Sequence, residues 1–169
     1  MKLNQESSPE KILGMAVKSE IEAADVYSKL YEIVKNELLR KKLKFLLYEE
    51  KKHRRILERL YTQKFPQKKM VVPEKSFLPS IKVSIDENTT MLDIFNVAFR
   101  AEKMAEDFYS QTSQQTQDER SQKILQYLSR VERSHSYMIK SEIDLLEKFP
   151  EYYNVEDFHA GHEFVHIGP

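Results

Sequence analysis

The sequence predicts an all-α fold, an antiparallel four-helix bundle with one long crossover between the second and third helices. Three observations predict it. The 169-residue chain has only three glycines and 32% charged residues, which favours long amphipathic helices over a β-rich fold. Apolar residues recur at alternating intervals of three and four along four stretches, the pattern of helices packed in a bundle. The second half also repeats the first at an offset of 82 residues. Glu20 falls on Glu102, Ala23 on Ala105, Asp25 on Asp107, Tyr27 on Tyr109 and Ser28 on Ser110. Leu43 falls on Leu125, Leu46 on Leu128, Glu50 on Glu132 and His53 on His135.

Ser8-Pro9-Glu10 opens the first helix, with serine as N-cap, proline at the first helical position and an acid in the first turn. Its seam runs Leu13, Ala16, Glu20, Ala23, Tyr27, Leu30, Val34, and a solvated glutamate is not expected at the Glu20 position. Asn36 to Arg40 is the expected tight turn, although no glycine or proline marks it. A second seam reads Leu39, Leu43, Leu46, Glu50, His53, Leu57, Leu60. Glu50 follows Glu20 by 30 residues. A turn near residue 35 then lies about 22 Å of helix from each, so the two acids face each other at one height.

Residues 63–88 break the pattern with Pro66, Pro73 and Pro79. A connection this long reaches about 80 Å if extended, enough to run back along a bundle of about 40 Å. It predicts a crossover that starts the third helix at the same end as the second. Ile81, Val83 and Ile85 alternate and predict a short extended piece. Asp86 to Thr90 offers N-caps for the third helix, whose seam is Met91, Phe95, Ala98, Glu102, Ala105, Tyr109, Thr112. The Gln/Ser/Thr-rich stretch Ser110 to Gln117 is the expected second turn. The fourth seam follows as Leu125, Leu128, Glu132, His135, Ile139, Glu142, Leu146, and Phe149-Pro150 ends it. The bundle is thus assigned to residues 1–149 and a C-terminal tail to 150–169.

The balance of 27 basic and 27 acidic residues gives no argument for a nucleic-acid or membrane partner. The absence of cysteine excludes disulfides, thiolate metal sites and a cysteine nucleophile. Met1 to Glu10 has no apolar signal core, and no apolar run approaches the roughly 20 residues that span a bilayer, so the expected location is cytoplasmic.

The chemistry lies in two runs, Glu50-Lys51-Lys52-His53 and Glu132-Arg133-Ser134-His135. Each is a Glu-x-x-His, whose spacing of three puts both side chains on one helix face, and each has a glutamate 30 residues upstream. One such run alone is ordinary surface chemistry, and one seam glutamate alone is ordinarily a snorkelling rim residue. Two motifs, two upstream acids and equal gaps, all in seam register, point instead to a metal site. Four buried carboxylates would cost several kcal/mol each without compensation, of order of the penalty for any buried ion. Two divalent cations against four carboxylates and two neutral imidazoles make the cluster electroneutral. Oxygen and nitrogen donors suit iron or manganese, and this is the arrangement of dimetal carboxylate bundles. Tyr27 and Tyr109 lie in the seams two turns from Glu20 and Glu102, as core aromatics whose hydroxyls need a partner; a ligand carboxylate across the bundle would serve.

From Pro9 to Lys148 these residues resemble the ferritin-like di-iron carboxylate proteins, the rubrerythrins above all. The resemblance implies that Glu50 and Glu132 bridge two iron ions, with manganese or zinc as substitutes. It implies that Glu20 and Glu102 are terminal carboxylates and His53 and His135 terminal imidazoles. It also implies a non-haem oxidoreductase that reduces hydrogen peroxide or dioxygen. The alternative is an iron-binding, ferroxidase-type protein with no dedicated electron donor. Two departures stand out. Rubrerythrins usually carry a further glutamate three residues after the third-helix ligand, where this chain has Ala105; Glu106 is adjacent but turned about 100° around the helix. The four-cysteine rubredoxin domain is absent, so the reading requires an external electron donor such as a rubredoxin-like protein. A homodimer is expected by the same analogy.

His162-Glu163-Phe164-Val165-His166 matches the zinc-protease pattern His-Glu-x-x-His. That chemistry needs a helix holding both histidines and a third ligand, whereas Gly161 precedes the run and Gly168-Pro169 follows it. It reads as a polar tail, with a surface metal site at His159, His162 and His166 as the other reading.

Overall fold

A computed structural model describes residues 8–34, 36–74 and 90–152. Among them are four helices: α1 (Pro9–Ile33), α2 (Glu37–Lys64), α3 (Met91–Gln115) and α4 (Glu119–Lys148), with no strand. At about 1.5 Å per residue each is roughly 40 Å long.

Each helix starts on a side chain that can accept the first free amide protons. Ser8 accepts from the amide of Lys11, Asn36 from Leu39 and Asp118 from Ser121. Thr90 and Asp93 form a reciprocal capping box at the start of α3. The first turn is shorter and earlier than Asn36–Arg40, because Asn36 already caps α2. Arg40 replaces the missing glycine: its guanidinium donates to the carbonyls of Tyr31 at 2.9 Å and Val34 at 3.1 Å and stacks over the Tyr31 ring. Ser110 to Gln115 is helical where a turn was expected. Ser113 and Thr116 bond back to the carbonyls of Ser110 and Thr112, and Thr112 and Ser113 are buried. The turn itself is Thr116 to Asp118.

α1 packs along α2, and α3 along α4, whereas α2 and α4 meet at few points. Two apolar clusters fill the interior. One joins Tyr27, Leu30 and Val34 at the end of α1 to Leu39, Leu43 and Leu46 at the start of α2. It continues to Ile94, Phe95 and Ala98 at the start of α3 and to Ile139, Ile143 and Leu146 at the end of α4. The other joins the opposite ends, including Leu13, Leu57, Leu60, Phe108, Leu125 and Leu128. α2 and α3 therefore both start at the same end of the bundle, and the connection between them crosses its whole length.

The first part of that crossover lies against α1. The Tyr61 hydroxyl donates to the carbonyl of Lys69 at 3.2 Å, Lys68 pairs with Glu10, and Val71 passes over Gly14. A Cβ on Gly14 would stand 2.3 Å from the Val71 carbonyl oxygen. Gly14→Ala should therefore destabilise the fold, because overpacking costs about 1–3 kcal/mol against the roughly 1 kcal/mol that alanine gains in a helix. A lower melting temperature with faster proteolysis in 65–74 is the expected result; an increase would show that this segment gives way freely. The extended piece expected at Ile81, Val83 and Ile85 and the histidine tail lie outside the described residues. Among the described residues no helix is long and apolar enough to cross a membrane.

Candidate metal centre

Between the two apolar clusters every helix contributes an acid at one level: Glu20 from α1, Glu50 from α2, Glu102 from α3 and Glu132 from α4. His53 and His135 lie one turn beyond Glu50 and Glu132. None of the six is more than 4% exposed. Nδ1 of His53 is 2.9 Å from Glu132, 3.4 Å from Glu20 and 3.8 Å from Glu50. Nδ1 of His135 is 3.2 Å from Glu132, 3.3 Å from Glu50 and 3.5 Å from Glu102. The two imidazoles stack, 5.5 Å between centroids and 18° apart.

These groups are close without being bonded to one another. Both nitrogens of both rings, Oε2 of Glu20, Oε1 of Glu50 and both oxygens of Glu132 are buried with no aligned hydrogen-bond partner. Orphaned buried polar atoms are costly and need a reason. Donor atoms turned to common points rather than to each other fit cations in between. Two overlapping groups meet that geometry, Glu20–Glu50–His53–Glu132 and Glu50–Glu102–Glu132–His135, with one atom per residue within 4.8 Å of all the others. Donors on opposite sides of a cation bound at about 2.1 Å lie about 4 Å apart. Glu50 and Glu132 belong to both groups.

The electrostatics of the protein alone are strained. Burial, then the charges of Glu132, Glu102 and Glu20, hold the Glu50 carboxyl well above its usual range. Burial and Glu20 raise Glu132 to about 7. Burial also opposes ionisation of Glu102, but contact with His135 outweighs it and lowers that carboxyl. Burial works against a charged His53, yet the close carboxylates of Glu132 and Glu20 prevail and raise it to about 11; His135 is raised likewise by Glu102, Glu132 and Glu50. In the metal-free chain the surrounding carboxylates thus favour the charged form of both rings.

Tyr27 and Tyr109 donate across the bundle, Tyr27 to Glu102 and Tyr109 to Glu20. Burial first, and the adjacent carboxylate charges second, raise both phenols well above their ordinary value, so they stay protonated donors. Between α1 and α3 a cavity of about 10 Å³, room for about one water, touches all four glutamates and is walled by Ala23, Ala98, Ala101 and Ala105.

Three buried acids outside the six were not singled out as site residues in the sequence. Glu106 is 4% exposed and pairs with Lys103 and, at 2.6 Å, with Arg133; these bases lower its carboxyl although burial opposes them. Glu142 pairs with Lys42. Glu49, 8% exposed, pairs with Lys52 and has an oxygen within 4.8 Å of a ring nitrogen of both histidines. The signals were available: Glu49 directly precedes the first Glu-x-x-His, and Glu142 falls in the fourth seam.

The family model for rubrerythrin matches residues 11–155. A solved structure of a hypothetical protein from Pyrococcus furiosus is 35% identical, superposes with a TM-score of 0.77, and is matched over 83% of this chain and 91% of its own. No curated protein matches the chain.

Proposed function

The chain belongs to the rubrerythrin family, and from that premise we propose that it is a non-haem di-iron oxidoreductase reducing hydrogen peroxide or dioxygen. The observation that carries this reading is that Glu50 and Glu132 are common to both donor groups. Each would bridge two iron ions, with Glu20 and His53 completing one position and Glu102 and His135 the other. Bound there, two Fe²⁺ supply one electron each, which balances H₂O₂ + 2 e⁻ + 2 H⁺ → 2 H₂O. The rest falls to the protein. Tyr27 and Tyr109 hold the terminal carboxylates in place with their hydroxyls. The alanine-walled cavity, with room for about one water, is the space beside the four glutamates that a small oxidant would have to widen to occupy. Restoring the ferrous state would fall to an external electron donor, a rubredoxin-like protein or a small reductant.

Ala105 favours a second reading, an iron-handling ferroxidase without a dedicated donor. Ala105 and its counterpart Ala23 flank the cavity alike, which leaves the donor set symmetric about Glu50 and Glu132. Anaerobic loading with Fe²⁺ followed by stopped-flow mixing with peroxide and, separately, with oxygen decides between them. Two irons per chain oxidised much faster by peroxide support the reductase. Faster reaction with oxygen supports the ferroxidase.

Because metal binds neutral imidazole and ionised carboxylate, loading has to displace the protons on His53 and His135 and those that the raised carboxyls of Glu50 and Glu132 retain. Both imidazole pKa values are raised, so protons compete with metal below about 11, and affinity should climb as pH rises from 6 to 8. The expected gain is about tenfold per pH unit for each proton displaced. Titration calorimetry in buffers of different ionisation enthalpy counts those protons; a count of zero would show that the rings are neutral and the carboxyls ionised beforehand.

A further inference from the structure

None of the six donors is more than 4% exposed, so an ion from solvent reaches them only past other side chains. The geometry points to a third cation position, made by Glu49 with the ring nitrogens of His53 and His135 that face away from the carboxylates, at which a divalent ion is held before it enters the centre. This rests on the dimetal reading above.

Three features place it there. With Nδ1 of each ring against the cluster carboxylates, Nε2 is the nitrogen left over, and in both rings it is buried without a partner. Glu49 is the acid outside the centre whose oxygen lies within 4.8 Å of a nitrogen of each ring, and those nitrogens lie within the same distance of each other. It is also the acid that links this pair to the surface. Its carboxylate is held at 3.0 and 3.3 Å by the ammonium of Lys52, whose side chain is 41% exposed. The opposite half offers nothing equivalent, because the residue preceding Glu132 is Val131.

A neutral imidazole has one lone pair. A ring that binds through Nε2 keeps its proton on Nδ1 and cannot ligate in the centre at the same time. The outer position is therefore a stage in loading and not a third permanent site. Each ring gives up one proton when Nε2 first takes the ion, and the inward step, in which the ring would ligate through Nδ1 while its remaining proton passes to Nε2, releases none. Glu49, released by the ion, is then the acceptor beside the new Nε2–H. Lys52 competes with the incoming ion for Glu49 and has to swing aside.

The test is stopped-flow binding of Co²⁺ alone to the full chain, read by its ligand-field absorbance, with stoichiometry from equilibrium dialysis. Glu49→Gln should slow association by about tenfold or more, the scale of lost electrostatic focusing, while two ions still bind at equilibrium. Lys52→Ala should speed it. Unchanged rates in Glu49→Gln, or slower loading in Lys52→Ala, overturn the proposal and leave the dimetal reading standing. A loss of equilibrium affinity with no change in rate also overturns it, since that is the mark of a residue that only orients the rings. If the unaltered chain binds no Co²⁺, both readings fall. Because Lys52 is partly exposed, its variant keeps the test decisive even if Glu49→Gln folds poorly.

Discussion

Glu50→Gln is expected to abolish binding of the ion pair while leaving the metal-free protein as stable as before, or more so. The two effects have opposite signs for one reason. Glu50 is buried among Glu132, Glu102 and Glu20, and its carboxyl is held well above the usual range by burial first and those charges second. A carboxyl whose folded pKa is raised costs no stability below its unfolded value of 4.5, and an increasing amount as pH rises above it. Glutamine keeps the shape and removes the charge, so the gain should be absent below about pH 4.5 and grow above it. With metal the balance inverts. Losing a partner one shell out already costs about 10–100-fold in affinity, and losing a donor shared by both positions should exceed that. Stabilisation by metal, about 2.7 kcal/mol when an ion is present at a hundred times its dissociation constant, should then disappear. Thermal melts with and without Fe²⁺ or Co²⁺, at two pH values, measure both signs. Two ions still bound by the variant would remove Glu50 from the donor set.

Leu128→Ala should give the largest loss of plain stability. Leu128 is completely buried, one helical turn before Glu132, and packs in the apolar cluster with Leu57, which is equally buried. Truncating such a side chain costs about 2–5 kcal/mol in lost transfer and residual cavity. In a chain of this length that lowers the melting temperature by about 10 °C. Leu38→Ala, at a position 47% exposed, is the control and should change stability by less than about 0.5 kcal/mol. Equal melting temperatures for the two variants would mean that the packing beneath the centre does not hold the fold together.

The helices, and the burial of the six clustered acids and histidines, were legible in the sequence because burial imposes a period, and period is what a sequence displays best. Leu13 to Val34 and Leu39 to Leu60 recur in steps of three and four because one face of each helix is interior. Turns obey no period. The first was expected too late because its device is a guanidinium, Arg40, reaching back to two carbonyls. The second was expected too early because Ser113 and Thr116 return their hydroxyls to their own helix, so a composition typical of turns stays helical. Glu106 illustrates another limit. Its angle around α3 turns it away from the clustered acids, and its buried carboxylate pairs with Arg133, 27 residues away on another helix, a pairing that no local pattern announces.

The order in which the helices pair has one more consequence. Each hairpin, α1 with α2 and α3 with α4, is local in the chain, and each carries two of the four glutamates and one histidine. Neither donor group is complete within one hairpin: the first takes Glu132 from the second half, and the second takes Glu50 from the first. Each half thus lends a single carboxylate to the other, and an ion bound at either group would be a crosslink between halves that are otherwise joined covalently only through the crossover. A chain cut between residues 75 and 89 would become two fragments held together by the two shared apolar clusters and the crossed tyrosine–glutamate bonds, with bound metal adding to that affinity, so that a chelator would weaken the pairing.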